Sequence, residues 1–173
     1  ITAERLKREF GIKTVNTFPS VLYRVKSKNR WIEIVKPEDL PVEYEEIWEP
    51  MVRSEIIVPS RYVNNLYPLQ SIFRMKEITT ASFQDSVKFN ALMPLAELVS
   101  DFDDKLKSIT EGYASLSYEL ADYEKADIVR VDILVAGKMI AGLSRFFPRG
   151  TFEREARNIV GKLKELLSRQ QFT

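Results

Sequence analysis

An α+β fold is expected from three features of this 173-residue chain. Short runs such as "VRSEIIV" (52–58) alternate along the two-residue period of half-buried strands. Leu95, Leu98, Val99, Phe102, Leu106 and Ile109 recur instead at spacings of three and four, the apolar stripe of a helix. The two patterns follow one another as β-α-β-β-α-β over residues 51–124. That order is the ferredoxin-like split β-α-β plan, an antiparallel sheet with two helices on one face, here with partial α+β units on either side.

Each element has a local reason. "ITAERLKREFG" places Leu6 and Phe10 four apart and stops at Gly11, as the end of an amphipathic helix does. "VLYRV" and "WIEIV" are strand-like runs around a polar turn, together a hairpin. These make a first unit over 1–36. Residues 37–50 mix three prolines with acidic residues and are expected to be a linker. The strand at 52–58 directs Val52, Ser54, Ile56 and Val58 to one face. Ser60 is placed to cap the helix that follows, and Pro68 is expected to break or kink it. "ITTASF" and "VKFNALM" form two strands, with Val87, Phe89, Ala91 and Met93 inward. Pro94 suits the first turn of the second helix, Gly112 stops that helix, and "SLSYELADY" alternates as a fourth strand through Leu116, Tyr118 and Leu120. A last unit is expected over 125–173. It opens on a strand with Val129, Val131, Ile133 and Val135 aligned. It closes on a helix capped by Thr151 and buried along Phe152, Ala156, Ile159, Val160, Leu163 and Leu167. Gly161 inside that helix costs about 1 kcal/mol relative to Ala, which implies close backbone packing there.

Composition narrows the chemistry. There is no cysteine and no histidine, which removes thiol catalysis, Ser-His-Asp constellations and most zinc sites. No apolar run is long enough to span a bilayer. Net charge is +1 but uneven: residues 101–127 carry 3 basic against 8 acidic side chains, and residues 128–173 carry 9 against 4. A basic C-terminal third points to an anionic partner.

Two groups of carboxylates invite a chemical reading. Glu97, Asp101, Asp103 and Asp104 form a tight cluster, and Glu97, Asp101 and Asp104 are spaced to share a helix face that a hard cation can use. With no companion ligands nearby, a solvated face with Lys105 four residues from Asp101 is the stronger reading. Glu43, Glu45, Glu46 and Glu49 lie in a proline-bracketed stretch that is poor scaffolding for a catalytic pair. The corner "EGYAS" is the stronger candidate. Tyr113 can stack on an unpaired base while Lys105 and Lys107 meet phosphates, or it can fold over the core with Gly112 as a simple cap. Arg154, Arg157, Lys162, Lys164 and Arg169 on the last helix offer a second basic surface, or an ordinary charged helix.

"PLAELVSDFDDKLKSITEGYASLSYELADYEKADIVRVDILVAGK" and "KLKELLSRQQF" resemble the C-terminal part of the LepA (elongation factor 4) family of translational GTPases. "ERLKREFGIKTVNTFPSVLYRV" is similar to the end of that family's third domain, and "EPMVRSEIIVPSRYV" to the opening of its fifth. The resemblance covers nearly the whole chain. Elongation factor G shares the logic of the fifth domain, so a fragment of that type is one alternative, and a protein-interaction domain without RNA binding is another. Where the family has a glycine turn after the first helix, this chain reads "RMKEITTASF", and it has Phe147-Pro148-Arg149 where the family carries Val-His-Arg.

The resemblance implies the following expectations. This segment is not itself an enzyme, binds no cofactor and holds no metal. GTP and Mg²⁺ belong to a G domain, since no G-x-x-x-x-G-K-[ST] loop occurs here. The partner is the ribosome, meaning ribosomal RNA, stalk-base proteins and tRNA. Lys105, Lys107, Gly112, Tyr113, Ser115, Arg154, Arg157, Lys162, Lys164 and Arg169 are the contact residues. The location is the cytoplasm, with a peripheral place at the inner membrane or an organellar matrix as variants.

Overall fold

The computed structural model describes residues 21–140 and 143–167, with side chains to 165. The helix expected before Gly11, and Arg169 with the "RQQF" block, lie outside the described residues. Strands β1 (Tyr23–Ser27) and β2 (Arg30–Ile34) form a hairpin closed by Lys28 and Asn29. Both turn residues have positive φ, 49° and 60°, as a two-residue hairpin loop with right-handed strand twist requires.

Strand β3 runs from Glu46 to Pro59, so the last residues of the proline-rich acidic stretch are strand and Pro50 lies within it. Helix α1 (Val63–Ile72), strands β4 (Lys76–Phe83) and β5 (Ser86–Pro94), helix α2 (95–109) and strand β6 (Ser115–Lys125) complete the split β-α-β unit. The antiparallel order is β4-β5-β3-β6, with the β2-β1 hairpin continuing the sheet. Because β6 pairs along one edge of β3, both β1 (at Glu46–Trp48) and β5 (at Met51–Pro59) pair along its other edge. One strand thus joins two sub-sheets.

The inward pattern of β3 is as expected after Pro50: Val52, Ser54, Ile56 and Val58 are buried. Before Pro50 the inward residues are Ile47 and Glu49, so the parity changes at Pro50–Met51, where the register with β6 also shifts. Val52, Ile56, Phe89, Ala91 and Met93 from the sheet meet Leu66 and Leu69 of α1 and Leu98, Phe102 and Leu106 of α2 in one core. Val21, Tyr23, Val25, Ile34, Ile47 and Ile128 form a second core against the start of α2.

Several expectations fail for identifiable reasons. Ser60 makes no cap: Ser60–Tyr62 is a separate 3-10 turn, and its backbone N–H donates to Asp85 O at 2.8 Å. Of the break or kink expected at Pro68, the break does not occur: Pro68 stands six positions into the ten-residue α1 without ending it. A π turn at Leu98–Phe102 interrupts α2. Leu98, Phe102 and Leu106 are spaced by four, a step at which an α-helix overshoots by about 40°, and the wider turn offsets that drift. On β6, Tyr118 and Leu120 stand opposite the buried Ser54 and Val52 and so share the inner face, yet on this edge strand both side chains are exposed, and only Leu116 packs on the core.

The strand expected through Val135 splits into β7 (Ile128–Val131) and β8 (Leu134–Val135), with Ile128 and Ile133 buried rather than Val129. Strand β9 (Lys138–Met139) pairs with β8 around Ala136-Gly137, and β10 (Arg145–Pro148) pairs with β7. Helix α3 (Phe152–Leu167) packs on β7 and β10 along Phe152, Ala156, Ile159 and Leu163, while Val160 is exposed. Gly161 has open space where a Cβ would stand, so close packing does not explain it.

A buried charge cluster joins the two cores. Arg74 follows α1 with φ 43°, in the left-handed position that usually takes glycine, and Met75 N–H donates to Gln70 O at 2.9 Å to close the helix end. The guanidinium donates to both oxygens of the buried Glu49 carboxylate at 2.7 and 3.0 Å, and to Glu97 Oε1. Glu97 Oε2 is buried without a hydrogen-bond partner among the described residues. Burial raises Glu97 above the ordinary carboxylate value, against the pull of Arg74. The folded state therefore holds that proton more tightly than the unfolded chain, and its stability contribution falls as pH rises from the ordinary value through the raised one. Glu97→Gln is expected to flatten this fall, read as the urea midpoint against pH for the two proteins.

Candidate nucleic-acid interface

The corner after α2 is built by its helix end. Thr110 Oγ1 donates to Leu106 O at 2.7 Å, and Gly112 N–H reaches back to Lys107 O at 2.8 Å. Glu111 and Gly112 have φ of 53° and 80°. Nothing lies within 4 Å of where a Gly112 Cβ would be, so glycine serves the backbone conformation there and not a close approach. The chain turns out through Tyr113, whose side chain is 59% exposed, and enters β6 at Ser115.

Tyr113 does not stand alone. Its ring lies 6.0 Å from that of Tyr62, with the planes 16° apart, an offset stack. The Arg61 guanidinium sits 4.9 Å from the Tyr62 centroid and 5.0 Å from the Tyr113 centroid. Tyr62 is buried, and its hydroxyl donates to Glu111 Oε2 at 2.9 Å. Burial, and then that carboxylate, push the Tyr62 hydroxyl upward. Arg61 makes no ion pair among the described residues, but its guanidinium also hydrogen-bonds the Tyr62 hydroxyl and opposes that upward push. Asn65 Nδ2 ties the two sides of the corner by donating to Ile109 O at 2.8 Å.

The residues expected here are thus partly assembled. Gly112, Tyr113 and Ser115 form the corner itself. Lys107 is engaged by Asp103 one helical turn back, which raises its pKa, and Lys105 is exposed with no ion pair among the described residues. Asp103, not Asp101, is the carboxylate that pairs on this helix. Glu97 turns inward to Arg74, so it does not share an exposed face with Asp101 and Asp104. Among the described residues no group of three or more carboxylates is placed to hold a metal ion. Sequence reasoning missed Arg61 and Tyr62. Their only signal was "PSRY" at a strand end, which the periodicity assigned to a helix start.

The basic residues of α3 form a separate surface. Arg154 pairs with Glu155 at 3.1 Å and Arg157 with Glu153 at 3.7 Å. Both arginines, with Arg149, line an open cavity of about 560 Å³ at the start of the helix. Arg149 Nε also donates to Asp127 Oδ1 at 2.9 Å. Lys162 and Lys164 are exposed further along. Each arginine of the cavity therefore carries a neighbouring carboxylate, and the positive excess of α3 sits with its lysines.

A β-α-β-β-α-β sheet in the order β4-β5-β3-β6, with both helices in one core, defines a ferredoxin-like domain with an aromatic, cationic corner. The family model described as "Elongation factor G C-terminus" matches residues 46–134, and the chain belongs to that family. Over 173 residues it is 42% identical to "Elongation factor 4" of Rubrobacter xylanophilus, which agrees with the LepA resemblance of its motifs. The match covers 99% of this chain and 29% of that relative, so the chain spans under a third of the curated protein's length. A solved structure from Thermus thermophilus aligns with 47% of this chain and 12% of its own, at 20% identity and a TM-score of 0.44. Among the described residues no helix is long and apolar enough to cross a membrane.

Proposed function

We propose that this chain is the ribosome-gripping part of a LepA-type translational GTPase, binding ribosomal RNA near the stalk base without performing chemistry. GTP and Mg²⁺ are the business of a G domain elsewhere in the protein, and the stalk-base proteins and tRNA are the further partners. Its place of action is the cytoplasm or an organellar matrix. The carrying observation is the exposed Tyr113 ring, propped on Tyr62 and flanked by the Arg61 guanidinium, which has no ion pair among the described residues. A preformed ring stacks on an unpaired base with little ordering cost; Arg61 beside it, with Lys105 on the helix that leads to the corner, then meets the phosphates. The α3 lysines supply a second cationic surface toward tRNA. Contacts made better in one ribosomal state than another shift the ribosome toward that state, which is how such a passive grip remodels or back-steps the tRNA–mRNA complex.

Co-sedimentation of the chain with ribosomes across a salt series tests this. Affinity is expected to fall linearly in log–log form with salt, and Tyr113→Ala to weaken it by about 1–3 kcal/mol. Salt-insensitive binding gives the surface to a protein partner. Binding unchanged by Tyr113→Ala returns the corner to a packing role.

A further inference from the structure

Strand β6 spans 11 residues and pairs with β3 along one edge; among the described residues no strand pairs with its other edge. Over Ser115–Leu120 its register with β3 runs without a break, and Ser117, Tyr118, Glu119 and Leu120 are four successive exposed residues. Edge strands are ordinarily blunted by proline, by a bulge or by an inward-pointing charge. This stretch has no proline, its one charge, Glu119, stands on the outer face opposite Arg53, and the register shifts only beyond Leu120, where Ala121 and Asp122 oppose Met51. The backbone N–H and C=O groups along the open edge are therefore available for another strand. Tyr118 and Leu120, 50% and 74% exposed, stand on the inner face at the rim of the core, where alternate side chains of such a strand would cover them.

The charges along this edge say what the strand is. On the outer face the edge opens onto a cavity of about 590 Å³, whose charged lining is Arg53, Glu55, Glu77, Lys88 and Glu119. Arg53 pairs with Glu77 at 3.3 Å and Lys88 pairs with Glu55, which leaves Glu119 over. Further along β6, Lys76 holds Glu124 and Glu46 holds Lys125, while Asp122 is exposed. Neither Glu119 nor Asp122 makes an ion pair among the described residues. Helix α2 does not reverse the balance: exposed Asp101 and Asp104 stand against exposed Lys105, none of them ion-paired among the described residues. The uncompensated charge is negative.

We propose that the open edge of β6 takes an extended basic segment of a protein partner as a further strand. Apolar side chains at alternate positions cover Tyr118 and Leu120, and a lysine or arginine between them reaches Glu119 and the cavity. Main-chain hydrogen bonds supply affinity in such strand addition, and the alternating side chains supply specificity. A second copy of this chain would set Glu119 and Asp122 against their own counterparts, and a nucleic-acid strand would bring phosphates to the same carboxylates. Residues 117–122 lie outside the Tyr113 corner, and the edge does not depend on the reading of that corner.

The test is polarisation of a fluorescently labelled peptide of about seven residues, an ordinary strand length, alternating valine with lysine or arginine. The chain is expected to bind it, and Glu119→Lys with Asp122→Lys to weaken binding roughly 10-fold by turning two attractions into repulsions. Leu120→Ser, at a position the core does not use, is expected to weaken it several-fold. Tyr113→Ala is expected to leave it unchanged. N-methylation of the peptide reads the backbone without altering the protein. Methyl groups on the residues whose N–H faces β6 are expected to abolish binding, and those on the intervening residues to leave it within about two-fold. Equal effects of the two methylation patterns, indifference to the charge reversal, or equal binding of a peptide with glutamate at the basic positions each overturn the proposal. A labelled oligouridylate whose binding Leu120→Ser weakens gives the edge to RNA and overturns it too. So does a dimer of the chain that Leu120→Ser dissociates. Loss of ribosome binding on Tyr113→Ala is read separately, so the corner stands or falls on its own result.

Discussion

Arg74→Ala is expected to cost this chain about 3–5 kcal/mol of stability, with a fall in thermal midpoint of roughly 10 °C. Among the described residues the guanidinium is the only cation found between Glu49 and Glu97, both of whose carboxylates are largely shielded from water. Burial alone pulls the Arg74 guanidinium down, and the hydrogen bonds and charges of the two carboxylates more than reverse it. Removing it leaves two like charges buried together with Tyr23, whose hydroxyl is already pushed up by burial and then by Glu49. The loss is expected to shrink on acidification, because a protonated Glu97 no longer needs the guanidinium. Urea unfolding at neutral and mildly acidic pH reads both effects. A neutral-pH stability within about 0.5 kcal/mol of the parent, the range of ordinary surface changes, would remove the cluster from the account of the fold.

Phe102→Ala is expected to cost a similar amount, about 3–5 kcal/mol, through a different cause. Its side chain is fully buried at the end of the π turn, and its ring meets Phe73 edge-on at 5.0 Å. Phe73 is the last contact of α1 before Arg74 turns the chain back. The cavity left by Phe102 therefore opens between the two helices, at the seam of the core. Here the loss is expected to be independent of pH, which distinguishes it from the Arg74 variant. Phe102→Leu, filling part of the space, is expected to recover over half of the loss. Equal losses for Leu and Ala would mean that ring geometry, and not buried volume, holds the seam.

Much of this was legible beforehand, and the legible parts share a physical origin. Most of the central unit declares itself through apolar spacing, because β3, β5 and the two helices bury one face, whereas the edge strands β4 and β6 hold no fully buried side chain. Positions such as Phe89, Met93, Leu98 and Leu106 are buried as their period requires. Gly112 announced the corner because a left-handed backbone conformation is a local demand that one residue type meets at no steric cost. The motif strings across 94–138 pointed to the family that the comparisons then found.

What stayed hidden depended on residues distant in the chain. Nothing local marks Arg61 and Tyr62 as neighbours of Tyr113. The three meet only because β3 and β6 are paired and both chains turn at the same end of the sheet. Tyr118 and Leu120 alternate like core residues and face the same side as Ser54 and Val52, yet their place on the edge strand leaves them in water. Arg74 reads as a surface arginine until α1 ends in a left-handed turn and points it at two carboxylates 25 positions upstream and 23 downstream. Trp31 and Trp48 meet edge to face only through the hairpin's pairing onto β3. The sequence by itself determined which faces are apolar and where the chain turns, since both are decided within a few residues. The tertiary structure alone decided which cations find carboxylates and which rings find each other, since those energies depend on distances that only the closed sheet sets.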